Sequence, residues 1–271
     1  TSTGADTIAD ERISIVAGGD VSLGTVDAVD GLTITGAGLN AASLDGQSVA
    51  ATMTGAINVG AATSETTIAM TGTSIVLDSG DAPGNITLGA TAGAIELGTI
   101  NSETNLLATA TGDITFGTLT GLVVTLDAGG GITGGTASAD RNIVSGVSRN
   151  VNLTAVGDIA IDSASAVADV VVRGASFTTT GAVTSGTGLN DDIDVLVGGA
   201  VDIASTRSGG QTVLTGSTVT LGSGVAGAGA SVLTSTAGAV DLGTFDSENF
   251  LDVVSATTVD FDTLTARAMS I

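Results

Sequence analysis

Three Ser-Glu pairs stand at one fixed place in a recurring phrase. GAIELGTINSE begins at Gly93, GAVDLGTFDSE at Gly238 and GAINVGAATSE at Gly55, and they end on Ser102-Glu103, Ser247-Glu248 and Ser64-Glu65. A serine beside a carboxylate could be a nucleophile, but its hydroxyl attacks only when a nearby base takes the proton. The commonest base is missing, because the chain has no His. A corner explains the pairs more simply, with Ser bonded to local backbone and Glu in water.

A second group, Asn190, Asp191, Asp192 and Asp194, lies in LNDDIDVLVGG. Such oxygens suit Ca²⁺, which needs six to eight of them in a defined loop. One short cluster falls short of that set, so a polar loop is expected. Calcium at Asp191, Asp192 and Asp194 is the metal possibility left to test. A third chemistry is glycan cleavage, which groups Asp on one face of a groove. Asp supplies 23 of the 28 acids, so the raw material exists. Yet the pairs Asp20-Val21, Asp113-Ile114, Asp158-Ile159 and Asp202-Ile203 fall at strand edges and outward positions spread along the chain. No Trp or Tyr offers a sugar-stacking surface. No catalytic, cofactor-binding or metal residue is assigned, no cofactor is implied, and a non-enzyme is expected.

The elements that carry these residues follow from the repetition. Ile95, Leu97 and Ile100 are apolar with Gly98 between; Ile114, Phe116 and Leu119 repeat this with Gly117. Val240, Leu242 and Phe245 repeat it with Gly243, Val21, Leu23 and Val26 with Gly24, and Val259, Phe261 and Leu264 with Asp262. Residues two apart share a strand face, and the third returns inward only after a corner. Gly98 and its equivalents are expected to supply the backbone angles of that corner. First apolar positions at Ile95, Ile114 and Ile132 are 19 and 18 apart. Those at Val183, Val201, Val219, Val240 and Val259 are 18, 18, 21 and 19 apart. Gaps of 27 and 24 around Ile159 mark longer loops, and Val21, Ile57 and Ile95 are each about two turns apart. A second apolar alternation lies between phrases, as in NLLATATG from Asn105.

A period of 18–21 residues carrying two or three short strands predicts an all-β, parallel β-helix (β-solenoid) of about 14 turns. One continuous segment, 1–271, is expected, a fragment of a longer repeat protein. A β-sandwich gives no reason for the period, and a propeller blade needs about 40 residues. Phe116, Phe245, Phe250 and Phe261 occupy Ile, Leu or Val positions of other turns and are expected in the core.

Composition agrees. There are 41 Gly, one Pro, no Cys and only five aromatics, all Phe, which suits narrow stacked turns without disulfides. Regular Val, Ile and Leu exclude disorder. Apolar runs are too short for a membrane helix. A net charge of −22 argues against nucleic acid and anionic membranes, both of which require clustered cations. The six Arg are Arg12, Arg141, Arg149, Arg173, Arg207 and Arg267.

ATGDITFGTL from Ala110, AVGDIAIDS from Ala155 and TAGAVDLGTF from Thr236 resemble the repeat region of filamentous-haemagglutinin-like bacterial exoproteins of the two-partner secretion type. Autotransporter adhesin passengers are similar. The resemblance implies a right-handed coil and a structural or adhesive shaft of a secreted or cell-surface protein. It implies protein or host-surface partners and an extracellular location. It carries over no functional residue. The alternatives are a filament-forming subunit that self-associates through its end turns, and a carbohydrate-active β-helix enzyme.

Overall fold

The computed structural model describes residues 7–9, 11–139 and 149–271; Arg141 lies outside them. The described residues form strands joined by turns, with no helix. They fall into two compact units, Thr1–Gly130 and Gly131–Ile271. Each is a parallel β-solenoid.

In the first unit the strand Ile95–Ser102 is bonded on both sides by its own equivalents. Ile95 stands opposite Ile75 on one side and Ile114 on the other, and Leu97 opposite Leu77 and Phe116. Upstream, Val21 pairs with Leu39, Leu39 with Ile57, and Ile57 with Ile75. Leu39 and Ile75 are thus the turns that the spacings of 36 and 38 skipped. A second column runs through Ile13, Leu32, Val49, Ile68, Ile86, Leu106 and Val124.

One turn shows how the sequence writes the core. Ile95, Leu97, Ile100, Ser102, Leu106, Ala108 and Ala110 are all buried, and Leu107 and Thr109, which alternate with the last three, point outward. Three straight segments with two corners give this pattern. β-branched and small apolar residues fit it because equivalent side chains stack directly, one turn apart.

The second unit has the same construction, and its register departs from the predicted one at a single turn. Its first column is Ile132, Ile159, Phe177, Val201, Val219, Val240 and Val259. Phe177, not Val183, begins its turn; Val183 stands opposite Ala164 and Thr206, at the position of Ile100. The turn is disguised because Thr179 fills the second inward site. Its hydroxyl is buried and donates to the Gly181 carbonyl at 3.1 Å. The register also shifts between Thr179 and Ala182. Among the described residues the columns give thirteen turn starts against the predicted fourteen or so, six in the first unit and seven in the second.

The aromatics divide. Phe116, Phe177 and Phe245 are core. Phe250 is only half-buried, because it precedes the inward residue Leu251. Phe261 occupies a core column but is 48% exposed, since it lies in Val259–Ser270, which pairs on one side only among the described residues.

Two packing details carry consequences. Gly98 has no left-handed φ, and Asp78, opposite it, makes the same bend with a side chain. The corner therefore does not need glycine's backbone freedom. It needs glycine's missing Cβ, which would lie 2.0 Å from the Asp78 carbonyl oxygen of the previous turn. Gly243 stands equally close to the Gly222 carbonyl. The second detail is a column in which Thr206, Gly224 and Phe245 succeed one another. A Cβ on Gly224 would lie 2.3 Å from the Phe245 ring, so the ring fills the room that glycine leaves. A Cβ on Gly80 would likewise lie 3.2 Å from Ile100 Cδ1.

Candidate functional site

The Ser-Glu pairs are corners. Ser64 is buried, and its Oγ donates to the Gln47 carbonyl of the preceding turn at 2.8 Å. It also accepts the Thr66 N–H at 3.0 Å. Ser102 donates to the Gly84 carbonyl at 2.8 Å and accepts the Thr104 N–H at 3.2 Å. Ser247 Oγ lies 3.3 Å from the Phe250 carbonyl, to which it donates. Each hydroxyl faces inward and is occupied by backbone, whereas Glu65, Glu103 and Glu248 are exposed. Nucleophile and carboxylate thus point to opposite sides of the sheet. Ser64→Ala is expected to destabilise the first unit by about 0.5–1.5 kcal/mol, since the Gln47 carbonyl and the Thr66 N–H each lose a hydrogen bond to the buried hydroxyl. Glu65→Gln is expected to change stability by less than about 0.5 kcal/mol. Paired urea melts check both.

The acidic cluster is drawn apart by the turn that carries it. Asp191 folds back on its own loop, its carboxylate accepting the Gly188 N–H. Asp192 belongs to a corner stack. Its Oδ1 accepts the Gln211 N–H at 2.8 Å, and its own N–H donates to Asp169 Oδ1 at 3.0 Å. The Asp169 N–H in turn donates to Asn150 Oδ1 at 3.2 Å. Asp194 stands on the outer face in an ion pair with Arg173, whose guanidinium also donates to the Asp194 carbonyl at 3.0 Å. The three carboxylates therefore serve three separate partners. Among the described residues no group of three acidic, His or Cys side chains converges on a point that could hold a metal ion. Millimolar CaCl₂ is expected to shift the thermal midpoint by less than ~1 °C, because only a ligand that binds the folded state raises it. An upward shift in a circular dichroism melt would restore the calcium reading.

The remaining Asp pairs occupy two registers. Asp20, Asp113 and Asp158 immediately precede their strands. Asp202 does not: it lies inside Ala200–Ser208, exposed and opposite Thr178 and Thr220. Asp158 accepts the Ser176 hydroxyl at 2.6 Å, and Asp162 the Thr180 hydroxyl at 3.1 Å. These acids tie one turn to the next along the surface.

The stack Asn150, Asp169, Asp192, Gln211 was not foreseen from sequence. Its signal was present: in four successive turns an amide or carboxylate residue precedes the inward residues Val151, Val170, Ile193 and Thr212. Such a side chain matches the span between turns and accepts the next turn's corner N–H.

Neither a protein-family model, nor a curated protein, nor a solved structure matches this chain. Ser64, Ser102, Asp158, Asp162, Asp169 and Asp192 hold one turn to the next, and the repeated phrase marks a repeated corner.

Proposed function

We propose that the chain is a structural or adhesive shaft segment of a secreted or cell-surface bacterial protein. It holds binding regions of the same protein at a distance, and its partners are other protein chains or host-surface ligands. One observation carries this reading. A strand such as Ile95–Ser102 is hydrogen-bonded along its length to equivalents on both sides, so load passes from turn to turn through backbone. Buried stacked side chains and corner hydroxyls reinforce the same direction. The high negative charge keeps such an apolar-cored scaffold soluble.

Antibody raised against the chain should label the intact bacteria that produce it, without permeabilisation. Pulled from its ends, the chain should lengthen in steps of one or a few turns. Label confined to permeabilised cells would overturn the location. A single weak rupture would overturn the shaft.

A further inference from the structure

The turn that begins at Phe177 takes 24 residues to reach Val201, where its neighbours on either side take 18. Most of the extra length is an outward excursion at the corner after Ser185, where Thr184 and Ile193 lie nine residues apart while their counterparts Ser165 and Val170, and Arg207 and Thr212, lie five apart. The excursion is held firmly. Ser185 Oγ donates to the Asp191 carbonyl at 2.7 Å, and the Gly210 N–H donates to the same oxygen at 2.9 Å. Inserts at one corner of a solenoid are where binding surfaces are commonly built.

Here the insert walls a groove of about 220 Å³ whose other side is formed by the next turns. Leu189 at the loop tip is 71% exposed, and Val225 across the groove is 47% exposed. Arg207 lies between them, and Glu248 lines the groove two turns beyond Arg207's own. Arg173 is paired, but among the described residues Arg207 has no carboxylate partner. An unpaired cation between two bare apolar side chains, on a chain of charge −22, is a specific arrangement.

We propose that this groove docks an extended peptide segment of a partner protein, one that places an apolar residue directly beside a single Asp or Glu. The apolar side chain would sit between Leu189 and Val225, and the carboxylate would meet Arg207 in a charge-assisted pair. Glu248 would repel a second acid, so the groove selects one carboxylate and rejects acidic runs. The proposal is independent of the shaft reading, because it concerns one corner and not the role of the whole chain.

The test uses the full chain with labelled Leu and Val methyl groups. The probes are acetyl-Gly-Leu-Glu-Gly-amide, its Gln counterpart and 4-methylpentanoate. The Glu peptide should shift the Leu189 and Val225 methyls saturably and leave those of Leu196 and Val254, exposed elsewhere, in place. The Gln peptide and the free acid should each bind about tenfold more weakly or worse. Arg207→Gln should cost the same factor, and so should Leu189→Ser, a change on the loop that leaves the strands untouched. Shifts that do not saturate, or that survive both substitutions, would overturn the site. Equal binding of 4-methylpentanoate would overturn the peptide as its occupant.

Discussion

Phe245→Ala is expected to cost the second unit about 4–5 kcal/mol, the upper end for such a truncation. The cost is high because the void cannot close. Gly224, one turn below, has no side chain to move into it, and the column continues with the short Thr206. The same geometry predicts a reversal of sign. Alone, Gly224→Ala should destabilise by about 1–3 kcal/mol, since its methyl meets the Phe245 ring at 2.3 Å. In the Phe245→Ala background the void lets that methyl and the Thr206 hydroxyl, 2.8 Å from it, move apart, and the added methyl should stabilise by about 1 kcal/mol. Denaturant melts of the four proteins form a double-mutant cycle. Additive costs would mean that ring and glycine are not coupled. Because repeat units need not unfold in one step, amide exchange should accompany the melts, with faster exchange centred on Thr218–Ala226 and Val240–Val254.

Gly98→Ala should destabilise the first unit by about 3 kcal/mol. Its Cβ would lie 2.0 Å from a carbonyl oxygen and 2.9 Å from the carbonyl carbon of Asp78, both backbone atoms that no rotamer change can withdraw. Gly18→Ala is the control. A Cβ there meets nothing within 4 Å, and its effect should stay within about 0.5 kcal/mol. Equal melting of the two variants would show that turns slide apart freely at this corner. The expected result is loss of amide protection in Ile75–Ala82 and Ile95–Ser102 together, because the strain acts between them.

The parallel solenoid was legible because one residue type per position suffices to announce it. Ile95, Leu97 and Ile100 recur in kind as Ile114, Phe116 and Leu119, and the structure stacks them in that register. Where an inward site is polar, the announcement fails. Thr179 hid the turn at Phe177 and moved the predicted start to Val183. A core site can take a hydroxyl when a carbonyl lies in reach, and sequence alone does not display that carbonyl. Gly98 was identified as a corner for the wrong physical reason. A periodic glycine signals a missing side chain, but whether torsion or proximity demands it depends on the turn beneath. The serines of the Ser-Glu pairs were legible as corner residues because they lacked a base. The groove at Arg207 was not legible. It joins residues from four turns, and only the excursion before Ile193 brings Leu189 beside the others.

That excursion also bears on how such a chain can change over generations. Six residues more than its neighbours use are accommodated between Phe177 and Val201, yet both residues remain in the same inward column. Corners therefore absorb insertions of several residues, while the straight segments tolerate only whole-coil gains or losses. A gene encoding this fold can lengthen by duplicating a coil, and can acquire a new surface feature by a short in-frame insertion at a bend. Neither event requires the interior to be redesigned, so the exterior is free to diverge much faster than the scaffold that displays it.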